Sequence, residues 1–163
     1  MNTPPASTDL DPKDITRVIA RHWSIDVGSM TYLPLGFGSH HWLADVRGSS
    51  AQSLFVTADR VASGSAAELE LRRALTAAWH LRHRAGIAAV VAPMQTDDGE
   101  ILVPVNAQWV VALYPYVAVE TSEWGEYTNE EDRRRAQQLV ALVHSVDPST
   151  LPADAPPVED FAI

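Results

Sequence analysis

The chain of 163 residues has the length of one ordinary domain, and 46% hydrophobic with 20% charged residues is the composition of a folded protein that buries a core. A formal net charge of -9 excludes a nucleic-acid surface, because phosphate binding needs a cluster of lysine and arginine that this sequence lacks. Without cysteine, disulfides, thiolate catalysis and cysteine-based zinc sites are excluded. The polar N-terminus and the lack of a long apolar stretch predict a cytoplasmic protein with no membrane partner.

The first predicted element is a helix. Residues 1–10 are expected to be a flexible tail, after which Asp11 and Pro12 supply an N-cap and a proline at the first helical position. A single apolar stripe follows at helical spacing, made by Ile15, Val18, Ile19 and Trp23. This helix should therefore pack on another element.

Three short runs separated by Gly and Ser turns come next and predict an antiparallel meander. The runs are Met30 to Leu35, Trp42 to Arg47 and Ser53 to Thr57. A capping box, Ser65 to Glu68, then predicts a helix that continues to about Arg84. Its inward face is predicted to carry Leu71, Ala74, Ala78 and Leu81.

The second half of the chain is predicted to hold more strands and a last helix. The strands are Val90 to Thr96, Glu100 to Val105 and Gln108 to Val117, with Asp97-Asp98-Gly99 as a hairpin turn. A second capping box, Thr128 to Glu131, opens a helix to about Val146, with Ala136, Leu139, Val140 and Val143 facing inward. Residues 148–163 are proline-rich and predict an extended linker. The fold class is thus α+β, with a five- to six-stranded antiparallel sheet, one helix between strands and flanking helices.

The order of these segments resembles the N-terminal lobe of the aminoglycoside phosphotransferase family, within the protein-kinase-like fold. The likeness covers about Tyr32 to Val146. Its motifs are Leu35-Gly36-Phe37-Gly38-Ser39-His40-His41-Trp42, Leu54-Phe55-Val56-Thr57, Leu71-Arg72-Arg73-Ala74-Leu75, Val91-Ala92-Pro93, Asp98-Gly99 and Leu113-Tyr114-Pro115-Tyr116. The resemblance implies that residues 11–147 form a kinase-like N-lobe and that residues 148–163 lead towards an absent C-lobe.

The same resemblance implies a nucleotide site, with ATP as the phosphate donor and Mg²⁺ as the cofactor of the family. The implied nucleotide-binding residues are Gly36, Gly38, Ser39, His40, Thr57, Leu113, Tyr114 and Tyr116. The first four would form the phosphate loop, where glycine lets backbone N–H groups approach an anion closely. Leu113 would be the gatekeeper, and adenine would pair with the Tyr114 carbonyl and the Tyr116 N–H. Pro115 fits the middle of that hinge because it has no N–H to lose.

One departure from the family pattern concerns the phosphates. The third strand of this family carries a Lys that holds the α- and β-phosphates and pairs with a helix glutamate, and Thr57 stands at that position here. A hydroxyl does not replace an ammonium facing two phosphates, so nucleotide affinity should fall unless Arg60 or another cation reaches the site. Without the Lys, Glu68 and Glu70 are expected to be helix-start charges that complement the dipole.

A second departure concerns catalysis. The family needs a His-Gly-Asp loop, a nearby Asn and a metal-binding Asp, and none of the six histidines is followed by Gly-Asp or Arg-Asp. No catalytic base and no metal ligands can be assigned. The sequence therefore predicts a nucleotide-binding lobe truncated before the catalytic loop and inactive alone, with a C-lobe polypeptide or a second copy of the chain as partner. The alternative is a non-catalytic, pseudokinase-like module that binds a nucleotide or a partner.

Two further hypotheses were weighed on the glycine turn. A metal site at His40-His41 is disfavoured because neighbours on a strand point to opposite faces and no third ligand is spaced to complete a set. A hydrolase with Ser39 as the nucleophile is disfavoured because Gly-Phe-Gly-Ser-His is not Gly-x-Ser-x-Gly and joins two strands. Trp42, Trp79 and Trp109 are expected in the core.

Overall fold

A computed structural model describes residues 9–35, 38–48, 53–118, 127 and 129–152. Its elements in chain order are α1 (Pro12–Trp23), β1 (Val27–Leu33), β2 (Ser39–Val46), β3 (Ser53–Arg60), α2 (Ala66–His83), β4 (Val103–Pro104), β5 (Trp109–Pro115), α3 (Glu130–His144) and a 3₁₀ turn (Pro148–Thr150). The predicted α+β class is confirmed. The predicted tail falls mostly, and the linker beyond residue 152 wholly, outside the described residues.

The five strands form one antiparallel sheet in the order β1-β2-β3-β5-β4. β3 is central, and its pairing with β5 runs from Leu54 opposite Pro115 to Arg60 opposite Trp109. Alternate side chains of a strand point to opposite faces of a sheet. The burial pattern of β3 follows that rule, since Leu54, Val56 and Ala58 are buried and the residues between them are half-buried.

One face of the sheet forms the main core by packing against α1. The Asp11 carboxylate accepts the Lys13 N–H at 2.8 Å, which confirms the predicted cap. Ile15 and Ile19 of this helix have no exposed surface and join the strand residues of the core face. Trp42 and Trp109 also belong to this cluster, as predicted.

α2 begins at the predicted cap, where the Ser65 hydroxyl accepts the Glu68 N–H at 3.2 Å. Its contact with the sheet is smaller than predicted. Leu71 and Leu75 pack against a second cluster on the opposite sheet face, centred on Val110 and Ala112. Ala74 was predicted to face inward and is exposed. The Ala-rich stretch is compatible with helix on either face, so its periodicity does not fix which side packs.

The strand predicted at Val90 to Thr96 was wrong. This segment is extended but lies outside the sheet ladder, to which the Met94 N–H donates a bond at the Leu113 carbonyl, 2.7 Å away. Pro93 is buried in the middle of the segment and offers no N–H for a ladder. The predicted turn is present, with Gly99 at φ +85°, but it does not join two strands. The strand that follows is only Val103–Pro104.

α3 differs most from its predicted environment. Asn129 is its N-cap, accepting the Asp132 N–H at 2.8 Å, whereas Thr128 lies outside the described residues. No residue of α3 is buried among the described residues, and Leu139 and Val140 are 46% and 58% exposed. The prediction of an inward-facing stripe on this helix was therefore wrong for the described chain. The amphipathic pattern is real, but no described element covers it.

Replacing Ile19 by Ala should lower the free energy of unfolding by about 2–5 kcal/mol, because truncating a fully buried side chain leaves a cavity between α1 and the sheet. Urea denaturation followed by tryptophan fluorescence measures the change. The control is Arg21→Ala on the exposed side of the same helix, which should stay within about 0.5 kcal/mol of the wild type. Equal effects of the two variants would contradict the packing of α1.

Candidate functional site

A cavity of about 560 Å³ opens on the sheet face opposite α1. It lies where the cavity face of β3 meets the end of β5 and the segment that follows. The lining residues are Leu33, Leu35, Phe55, Thr57, Val91, Tyr114, Pro115, Tyr116 and Val117. The cavity is therefore largely apolar, with its polar atoms supplied by hydroxyl groups and backbone.

Aromatic rings form one wall of this cavity. The Phe55 ring stacks on His41 at 18° and 5.2 Å between centroids, and meets Tyr114 edge to face at 6.4 Å. The three rings come from β2, β3 and β5, which places them side by side across the sheet. Packed rings of this kind offer a fixed surface on which a planar heterocycle can stack.

Thr57 lies at the centre of the site and has no charged neighbour of its own. Its hydroxyl is 3.5 Å from the Ala112 carbonyl, the residue opposite it on β5. Arg60 does not reach the cavity, because it lies on the core face of β3, 3.2 Å from the Asp9 carboxylate and 6.0 Å from the Trp109 ring. All twelve Lys and Arg residues fall within the described chain, and none lines the cavity.

An acid lies on the cavity face close to this position. Asp59 is two residues after Thr57, so both side chains point to the same side of the sheet. Its carboxylate accepts a hydrogen bond from the hydroxyl of Ser39, its register partner on β2. Burial, and then the negative charge of Asp59, raise the pKa of Tyr114 to about 12. The field of Asp59 thus extends to a residue of the cavity wall.

Glu68 is engaged at the start of α2 and not with the cavity. Its carboxylate accepts the Gly64 N–H at 2.6 Å and pairs with Arg72 at 2.8 Å, while Arg72 also contacts Glu100 at 2.5 Å. The prediction that Glu68 is a helix-start charge is confirmed. Glu70 is exposed.

The structure gathers only part of the sequence-predicted site. Thr57, Tyr114 and Tyr116 line the cavity. Gly38 has φ +88° and precedes Ser39 in the turn between β1 and β2, and Gly36 lies outside the described residues. The residues that sequence reasoning missed are Leu33, Phe55, Val91 and Val117; Phe55 could have been found from its period-two relation to Thr57.

Two predicted residues point away from the cavity. The His40 ring lies on the core face, with Nδ1 3.2 Å from the Tyr32 hydroxyl and its centroid 5.2 Å from that of Trp109. Leu113 is also on the core face and has no exposed surface. The structure therefore does not bring either side chain to the site, and the β5 side chain that faces it is Tyr114.

The backbone of the segment after β5 is partly used inside the sheet. The Tyr116 N–H donates to the Ser53 carbonyl at 3.2 Å, so this donor is not free for a ligand. Successive residues of an extended chain direct their N–H and C=O groups to opposite edges. The neighbouring residues Pro115 and Val117 are accordingly the ones whose backbone groups turn away from β3.

Metal and membrane features were sought over the same residues. No group of three or more His, Asp or Glu in the described chain is placed to hold a metal ion. Within the described helices, none combines the length and apolar character needed to cross a bilayer.

Removing the charge of Glu68 should flatten the acid dependence of stability. Hydrogen bonding from Gly64, and then from Arg72, lowers the pKa of the Glu68 carboxyl below its ordinary value of 4.5. A lowered folded-state pKa means that the stabilisation is complete above the ordinary value and is lost as the pH falls through the folded-state pKa. Glu68→Gln should therefore be about 1 kcal/mol less stable at neutral pH, and this deficit should shrink below about pH 4.

Urea denaturation at a series of pH values measures this effect, with Glu70→Gln as the matched control in the same helical turn. The control should keep the wild-type slope, because Glu70 is exposed and no contact of its carboxylate was found among the described residues. A constant deficit of Glu68→Gln across the acid range would contradict the ionic role of Glu68.

Comparison with known proteins gives a match at the level of structure. No family model matches the sequence, and the curated proteins give no match. Among solved structures, the chain is similar to spectinomycin phosphotransferase APH(9)-Ia, solved in complex with ADP and spectinomycin, with a TM-score of 0.63 and 16% sequence identity. The match covers 87% of this chain and 40% of that chain. At this identity the likeness establishes the fold alone, and the chain has the α+β fold of a protein-kinase-like N-lobe.

Proposed function

We propose that this chain is the nucleotide-binding lobe of an ATP-dependent, small-molecule phosphotransferase of the aminoglycoside type, and that the cavity beside Thr57 and Tyr114 receives the adenine ring. The observation that carries the proposal is the position of this cavity, at the end of β5 on the sheet face away from α1. Further support comes from the fold, which is shared with a phosphotransferase solved with ADP.

The cavity suits a purine ring. Phe55 and Tyr114 give an aromatic wall, and stacking of a base on an aromatic side chain contributes about 1–3 kcal/mol. The backbone of Pro115 and Val117 turns away from β3 and supplies a carbonyl and an N–H for the ring edge. This assignment lies one residue after the pairing that the sequence suggested, because the Tyr116 N–H is bonded to Ser53.

The residues of this chain do not fit Mg²⁺ or the phosphoryl groups of ATP equally well. No metal-holding group of carboxylates or histidines occurs in the part of the chain that the structure describes. Thr57 stands where the family has a lysine, and the sequence has no His-Gly-Asp loop. Phosphoryl transfer therefore requires residues beyond those of this chain, and we derive no chemical step from it.

A second candidate is a pseudokinase-like module that binds a nucleotide or a partner without catalysis. It is favoured by the absence of a Lys–Glu pair, since Thr57 carries no charge and Glu68 is bonded to Gly64 and Arg72. The exposed apolar side of α3, with Leu139, Val140 and Leu142, is the surface that a C-lobe polypeptide or a second copy of the chain would cover. The two candidates differ in whether an added C-lobe produces turnover.

Filling the cavity should abolish nucleotide binding. Val91 lines the cavity and is 56% exposed, so Val91→Trp can place an indole in the opening without disturbing the core. We expect ADP binding, measured by calorimetry, to weaken by about tenfold or more, which corresponds to about 1.4 kcal/mol.

The matched control is Val140→Trp, since Val140 is 58% exposed and belongs to α3, away from the lining residues. It should bind ADP as the wild type does. Equal binding by Val91→Trp and the wild type would place any nucleotide elsewhere, and no binding by the wild type at millimolar ADP would reject a nucleotide lobe.

A further inference from the structure

We infer that this cavity is a nucleoside site that selects against phosphate, so that it binds adenosine at least as tightly as ATP. The inference rests on the proposed adenine site and goes beyond it, because it reverses the order of affinity expected of a lobe that presents a phosphate donor. Three independent features of the described chain support it: the placement of the cations, the position of Asp59, and the internal pairing of the nearby hydroxyl groups.

The cations of the chain are placed away from the cavity. Polyphosphate binding depends on Lys or Arg near the anion, or on free backbone N–H groups. Arg60 lies on the opposite sheet face beside Asp9, and Arg47 pairs with Asp26 at 2.9 Å at the far end of β2. Arg72 is held between Glu68 and Glu100. Since all twelve Lys and Arg residues are described and none lines the cavity, no side chain offers the ammonium that Thr57 replaces.

A negative charge stands where the phosphates of a bound nucleotide would extend. Asp59 shares the cavity face with Thr57 and is opposite Ser39, the first residue of β2 after the Gly38 turn. The charge of Asp59 acts on the Tyr114 hydroxyl in the cavity wall, which shows that its field reaches the ligand space. Like charges repel, and the net charge of -9 adds to the effect. Each added phosphate therefore costs binding free energy.

The hydroxyl groups near this end of the site are already paired. The Ser39 hydroxyl donates to Asp59, and the Thr57 hydroxyl faces the Ala112 carbonyl. A phosphate oxygen would have to displace these bonds, and it could not replace Ser39 as donor to Asp59, because both are acceptors. The apolar and aromatic part of the cavity has no such conflict with an uncharged nucleoside.

The test is a titration of the full chain with adenosine, AMP and ATP, without added metal and at low ionic strength, measured by calorimetry. We expect affinity to stay level or fall from adenosine to ATP, and any difference to narrow when salt is raised, because screening weakens repulsion. Thr57→Lys should restore a phosphate contact and raise ATP affinity about tenfold while leaving adenosine nearly unchanged. Asp59→Asn should act in the same direction.

Ala20→Lys is the charge-matched control, because it adds the same ammonium on the exposed side of α1, which packs on the other sheet face. It should preserve the wild-type order. Tighter binding of ATP than of adenosine by the wild type would overturn the inference and leave the proposed nucleotide lobe standing. Failure of all three ligands to bind the wild type would instead reject the proposed adenine site, and the inference with it.

Discussion

The alternation of side chains along β3 determines both the stability of this lobe and the character of its site. β3 is paired with β2 on one side and β5 on the other through seven residue pairs each. Leu54, Val56 and Ala58 are thereby directed into the core under α1, and Phe55, Thr57 and Asp59 towards the cavity. A slip of one residue would exchange the two sets and bury a carboxylate, so the register that builds the core also fixes the chemistry of the opposite face.

Sequence patterns were sufficient where local chemistry decides the outcome. The caps at Asp11 and Ser65 follow from side chains that bond to nearby backbone N–H groups, and both helices begin as predicted. The meander of β1 to β3 follows from alternation and turn residues. The structural match to a phosphotransferase supports the expected family at the level of the fold.

The patterns were insufficient where the outcome depends on distant parts of the chain. Trp109 to Leu113 is a continuous apolar run buried on both faces, so nothing in the sequence shows whether Leu113 or Tyr114 faces the cavity. Pairing with β3 decides this in favour of Tyr114. The stripe on α3 predicted a packed helix, but periodicity shows only that a face is apolar and does not identify what covers it. In Val90 to Thr96, apolar character reflects burial of a loop and not a strand.

The site combines a base-binding surface with an environment unsuited to polyphosphate. A cavity walled by aromatic rings fits a heterocycle, whereas Thr57 and Asp59 place a neutral and a negative group where a phosphate donor needs positive charge. This separation of base recognition from phosphate recognition is consistent with both proposed functions. It also explains why Glu68 is free to serve as a cap: without a lysine on β3, the helix carboxylate has its partners in Gly64 and Arg72.

The central claim is that the cavity face of β3 and the end of β5 bind the adenine ring. Amide chemical shifts of the ¹⁵N-labelled chain during an adenosine titration test it most directly. The account predicts that saturable changes cluster at Phe55, Thr57, Tyr114 and Val117, which line the cavity. Changes confined to α1, or no saturable change at all, would contradict it.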